Sequence, residues 1–189
     1  EKRVIVNSGI SIYAGMIPSN KTDPLRALQR STSAHSTVNI DGENSSEVWG
    51  AFRLGRRAKV TEFLAYEENN EVRLFASHNG YRKILHQRAW NFKESSICIV
   101  DEILGRSSEK LTQLVLPIHP DVEIIEQKEK IIECEIKGEK FSIEFQSQGN
   151  LFIKDSAYFP EFGKSVDNIH IVFEIKAELP HKIKTLITW

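Results

Sequence analysis

A chain of 189 residues with 40% apolar content holds enough for one substantial core, so a single globular domain is expected. Lys plus Arg number 25 against 26 for Asp plus Glu, which excludes a global field that would draw nucleic acid or an anionic membrane, so anion binding has to be local. No apolar run approaches the roughly 20 residues that span a bilayer, and the first residues do not read as an export signal.

The chain opens on Glu1-Lys2-Arg3, without an initiator Met, and runs at once into Val4-Ile5-Val6, a strand already under way. A piece of a longer protein is expected from that start. Residues 14–33, with Pro18 and Pro24, break the rhythm of the rest and read as a long loop with a helical turn near residues 25–29. Loops of that length in compact domains are often functional.

Almost every later apolar run is short, β-branched or aromatic, and punctuated by Gly, Asn or Asp. The fold class expected is all-β, a large antiparallel β-sandwich of consecutively paired strands. Phe141, Ile143 and Phe145 alternate on one strand, and Ile169, Ile171, Phe173 and Ile175 on another, which puts each set on one face of a sheet. Hairpin turns are expected at Asn69-Asn70, at Gly138-Glu139 and at Asn79-Gly80. Residues 182–189 read as a terminal strand closing the sandwich. Cys98 and Cys134 lie in strand-like runs with no CxxC spacing; buried free thiols fit them better than a disulfide, and the redox compartment stays open.

Residues 29–57 carry the densest chemistry: His35 among small residues, a polar turn, Trp49, and four arginines. Core packing alone does not call for that mixture. Four ordered segments, VIVNSGISIY, RSTSAHSTVNIDGENSSEVWGAFRLGRRA, HNGYRKILHQRAW and AYFPEFGKSVD, resemble the C-terminal β-domain of heparinase II/III-like proteins. The resemblance covers nearly the whole sequence. It rests most on AHST, which the family usually writes AHNT, followed at the observed spacing by IDG and SEVWGAFR.

The resemblance implies a supersandwich-like domain following an N-terminal α/α toroid that this sequence lacks. It implies a polysaccharide lyase whose cleft, between toroid and sandwich, holds an acidic, uronate-containing chain. Cleavage of that kind removes the proton beside a uronate carboxylate, so the carboxylate must be neutralised and a base positioned. The family's principal Asn, Tyr and His for this work lie largely outside the present residues, and no catalytic residue is assigned here. By resemblance a metal-ligand histidine falls on His35 and a carboxylate ligand on Asn7. Asn departs from the family, because zinc sites are built from His, Cys and carboxylate. Zinc is therefore an expectation for a longer parent, and tight binding by these residues alone is not expected. The family's location implies a periplasmic or extracellular parent, with a cytoplasmic one left open.

The residues themselves keep a plainer reading beside this one. His35 alone would more often hydrogen-bond a loop backbone. Arg53, Arg56 and Arg57 suit carboxylates and sulfates through their guanidinium forks. Strand alternation would send Arg56 and Arg57 to opposite faces, and any one of the three would more often pair with Glu43 or Glu47. Arg53 is the preferred ligand contact. Trp49 could stack on a sugar, although a tryptophan is more often core. His78, Tyr81 and His86 surround the expected Asn79-Gly80 turn. His78 and Tyr81 join Arg53, Trp49 and Arg56 as substrate-binding candidates, and a proton-transfer role is open to them. With no evident activating partner, a turn decorated with polar residues is the commoner reading. His119 belongs to a Pro-bounded turn, and residues 126–129 to a solvated face. The competing function is a noncatalytic carbohydrate-binding or scaffolding module, for which Asn7 is the best support.

Overall fold

A computed structural model of the chain describes residues 2–12, 24–49 and 53–189. Residues 13–23 of the expected long loop, and Gly50, Ala51 and Phe52 of the SEVWGAFR segment, lie outside the described residues. A six-residue helix, α1 (Pro24–Gln29), and a 3-10 turn at Thr32–Ala34 precede the strands. These are β1 (Thr37–Ile40), β2 (Val60–Glu68), β3 (Glu71–Tyr81), β4 (Ile84–Lys93), β5 (Ser96–Gly105), β6 (Glu109–Pro117), β7 (Val122–Gln127), β8 (Ile131–Ile136), β9 (Glu139–Phe145), β10 (Asn150–Tyr158), β11 (Val166–Glu178) and β12 (His181–Thr188). No helix among the described residues is long and apolar enough to cross a membrane.

The strands form two antiparallel sheets, one in the order β1-β6-β11-β10 and one in the order β2-β3-β4-β5-β12-β9-β8-β7. The alternation read from sequence faces the seam between them. Phe141, Ile143 and Phe145 of the larger sheet are buried, as are Ile171, Phe173 and Ile175 of the smaller. Phe145 stacks on Phe173 across the layers with ring centroids 4.5 Å apart. Burying side chains of this size contributes roughly 1.5–3 kcal/mol each. Cys134 is buried on β8 and Cys98 half-buried on β5, both as free thiols. Burial pushes the Cys134 thiol up to about 11.

Asn69 and Asn70 form the β2–β3 turn, both at positive φ, as a two-residue hairpin of the twisted I′ kind requires. Two other turns differ from expectation. The β8–β9 turn sits one residue earlier, at Lys137-Gly138, again with both φ positive. Asn79-Gly80 is not a tip at all: β3 continues through it to Tyr81, and β4 begins at Ile84. A bulge occupies the place instead, with the register shifting between His78 and Tyr81. The Gly80 amide donates to His78 Nδ1 and its carbonyl accepts from Arg56, so both groups that would close a turn are held elsewhere. Pairing is not consecutive throughout, and β12 is not a closing edge; it lies between β5 and β9 in mid-sheet. The sequence alternates in β12 as in any half-buried strand, and alternation carries no information about neighbours.

Candidate functional site: the His35 rim and the Trp49 hairpin

The N-terminal segment lies against residues 117–119 at the end of β6 and against Phe159 just past β10. Val6 N–H donates to the Pro117 carbonyl, and the Ser8 amide and hydroxyl both donate to the Ala34 carbonyl. That docking brings Asn7 to His35, with Asn7 Oδ1 3.2 Å from His35 Nδ1. Both residues are exposed, and partial enclosure of the imidazole lowers its pKa from the usual value. Gly9 makes the approach possible. It sits at φ +78°, and a Cβ there would stand 2.1 Å from the Phe159 carbonyl oxygen. Gly9→Ala is expected to destabilise the fold by about 1–3 kcal/mol, from the left-handed backbone and the displaced strap. Chemical denaturation checks the loss, and an unchanged midpoint would contradict it.

On the other side of His35, Arg88 Nη1 donates to the Ser36 carbonyl at 2.7 Å. Arg88 is itself fixed by Asp101, whose carboxylate accepts Nε at 2.6 Å and Nη2 at 3.1 Å. Asp101 is fully buried. Burial pushes its pKa up, but Arg88 and His86 together outweigh that and hold it below the carboxylate range. His86 Nε2 lies 2.6 Å from the same carboxylate and His86 Nδ1 2.9 Å from His78 Nε2. Because Gly80 N–H donates to His78 Nδ1, that nitrogen carries the lone pair, which orders the donors along the row. His78 Nε2–H donates to His86 Nδ1, and His86 Nε2–H donates to Asp101. Burial first, then the neighbouring His86, lowers His78 to about 4.

His78 and His86 thus have the partners that the sequence did not reveal. Tyr81 is buried too, and its hydroxyl donates to the Val38 carbonyl at 2.6 Å. Burial pushes its phenol well above the ordinary value. These groups tie the larger sheet to residues 35–38, with His78 half-buried and Tyr81 at the edge of a surface groove. One signal of the network was present. Asp101 shares a core-facing register with Ile97, Ile99 and Ile103, and an acid in such a row requires a buried cation or donor.

The second part of the site is a short hairpin whose described arms are residues 47–49 and 53–56. Glu47 N–H donates to the Arg56 carbonyl, Gly55 N–H to the Glu47 carbonyl, and Trp49 N–H to the Arg53 carbonyl. Trp49 is 52% exposed and so is not a core residue. It is nevertheless held. The Glu47 carboxylate accepts the Arg56 amide and the Trp49 side chain, and those bonds lower its pKa. A Cβ at Gly55 would stand 2.6 Å from Glu47 Oε2 and 3.1 Å from Trp49 Cε2, so only glycine leaves room for both. Arg30, whose role no spacing signalled, spans the hairpin by donating to the carbonyls of Trp49 and Arg53.

Arg56 ends the hairpin and Arg57 follows it, neither on a strand, so strand alternation does not sort them. The Arg56 side chain donates to the Ser45 and Gly80 carbonyls and pins the hairpin to β3; it forms no ion pair with Glu43 or Glu47 among the described residues. Arg53 and Arg57 are exposed. His119 accepts the Asp121 amide in its turn, and residues 126–129 are exposed.

The family model described as heparinase II/III-like, C-terminal, matches residues 1–186. The chain belongs to this family. Among solved structures, a heparinase III, the BT4657 gene product, superposes with a TM-score of 0.76 at 19% identity, covering 99% of this chain and 28% of that one. Heparan sulfate lyase HepC from Pedobacter heparinus gives 0.77 at 16% identity, with the same coverage of each. A 4-alpha-glucanotransferase from Thermococcus litoralis gives 0.54 at 11% identity over 98% of this chain and 32% of that one. Identities this low establish a shared fold, and the chain spans under a third of each of these structures. Among curated proteins none matches this chain by sequence.

The zinc expected for the heparinase-like parent can be tested against the donors. His35 and Asn7 supply one imidazole nitrogen and one neutral amide oxygen. Among the described residues no group of three or more His, Cys, Asp or Glu could hold a metal ion. One imidazole and one neutral amide fall short of the three or four His, Cys or carboxylate ligands that zinc takes.

Proposed function

We propose that this heparinase II/III-like domain belongs to a polysaccharide lyase that cleaves acidic, uronate-containing polysaccharide by β-elimination, and that it forms one wall of the substrate cleft against an N-terminal toroid. The observation that carries the reading is the exposed Trp49, pinned along one edge by Glu47 and flanked by the exposed Arg53. An indole held in this way presents a face to a sugar ring at little entropic cost, and the guanidinium pairs with a carboxylate or sulfate.

In the reaction, a base takes the proton beside the uronate carboxylate, and those electrons form a carbon–carbon double bond as the glycosidic bond breaks. The departing oxygen takes a proton from an acid. The base and acid are assigned to the toroid. Trp49 and Arg53 orient the chain, and the Asn7–His35 pair lines the rim. With Asn7 in place of an acid, a noncatalytic carbohydrate-binding module is the competing reading.

Calorimetric titration with heparin-derived oligosaccharides tests the wall. Trp49→Ala is expected to weaken binding by about tenfold, in line with the 1–3 kcal/mol of aromatic stacking. Arg53→Ala is expected to weaken it similarly and to flatten its salt dependence. Unchanged affinity in both variants would remove the hairpin from the binding surface.

A further inference from the structure

We propose that the groove beside the β3–β4 turn is a second anion subsite, taking a carboxylate or sulfate group of an acidic saccharide that extends past Trp49. This rests on the acidic-glycan reading above. The groove has a volume of about 470 Å³ and is lined by Arg56, Arg82 and Lys83 over a floor that includes Ile84, Leu85 and Leu104. The groove is shallow and open to solvent, which suits one charged group of a longer saccharide rather than an enclosed small molecule.

Part of the chain's positive charge is neutralised by ion pairs and part is not. Lys93, Lys110, Lys128, Lys176 and Lys182 each pair with a carboxylate. Arg82 and Lys83 are exposed and, among the described residues, make no ion pair or side-chain hydrogen bond. Arg56 donates to two carbonyls, and the Glu47 carboxylate shares its field. Glu47 is the acid that feels Arg82, and its carboxylate is engaged by the Arg56 amide and the Trp49 side chain. In a chain of net charge −1, three cations around an apolar floor make a local field that favours an anion. The same Glu47 contacts put the groove at the end of the molecule that carries the Trp49 hairpin. The β3–β4 turn places both Arg82 and Lys83 beside the groove, with Lys83 at φ +60°.

The test is calorimetric titration of the chain with a heparin-derived hexasaccharide, its desulfated counterpart and a disaccharide. The variant combines Arg82→Ala with Lys83→Asn, since Asn tolerates the positive φ, and Lys176→Ala with Lys182→Ala serves as the control. The double variant is expected to weaken the hexasaccharide by at least about tenfold, the loss of one charge-assisted hydrogen bond. It leaves the melting temperature and the control's affinity unchanged. Equal loss with both hexasaccharides identifies a carboxylate, and loss confined to the sulfated one a sulfate. Hexasaccharide affinity within twofold of the parent, with Trp49→Ala still disruptive, overturns the subsite and leaves the Trp49 wall standing. No binding of any saccharide by the parent chain overturns both.

Discussion

Asp101→Asn is expected to lower folding stability by about 3–5 kcal/mol, the usual loss when one partner of a buried ion pair is removed. Asp101 is fully buried and accepts three bonds, two from Arg88 and one from His86. Asparagine offers one acceptor and an amide that faces donors, leaving the nearly buried Arg88 charge without a counter-ion. The damage extends to the strap, because Arg88 holds the Ser36 carbonyl beside His35. Urea denaturation at neutral pH reads the loss. A change below about 1 kcal/mol would mean that water or another group replaces the carboxylate without difficulty.

Stability is also expected to fall as pH drops from about 6.5 toward 4, with His78 the largest single contributor. Its folded pKa is about 4, against an ordinary histidine value of 6.5. Between those values the unfolded chain binds a proton that the folded chain refuses, so stability rises with pH across the window. The physical reason is local. Protonated His78 Nδ1 would face the Gly80 N–H instead of accepting it, and a second cation would approach Arg88. His35, His170 and His181 are lowered by burial as well and slope the same way. Asp101 acts with the opposite group type at more acid pH: its depressed pKa contributes stability that is lost only as pH falls through the folded value. Denaturation midpoints from pH 7 to pH 4.5 should therefore decline, and His78→Gln should flatten the decline. A midpoint independent of pH in both proteins would contradict the buried row.

What the sequence disclosed follows from which interactions are local. The faces of β9 and β11 were legible because alternation of Phe141, Ile143 and Phe145 states directly which side meets the core. The Asn69-Asn70 turn was legible because few residues tolerate two positive φ values in succession. Strand order was not, since β12 reaches mid-sheet by pairing with strands far away in the chain. The same limit hid Arg88 and Asp101, which meet only through β4–β5 register. In the site, resemblance placed His35 and Asn7 at one metal position, and the fold brings them to 3.2 Å. Trp49 went the other way: its exposure depends on Glu47, Gly55 and Arg30 holding a hairpin that no periodicity announces.

The most direct measurement is unsaturated-uronate absorbance during digestion of a panel of acidic polysaccharides by the protein expressed from its full reading frame. The account predicts elimination on at least one substrate, reduced by His35→Ala at the rim and reduced about tenfold or more by Trp49→Ala with Arg53→Ala. A folded full-length protein that binds these glycans yet yields no unsaturated product across a broad panel would contradict it, and would leave a carbohydrate-binding module in its place.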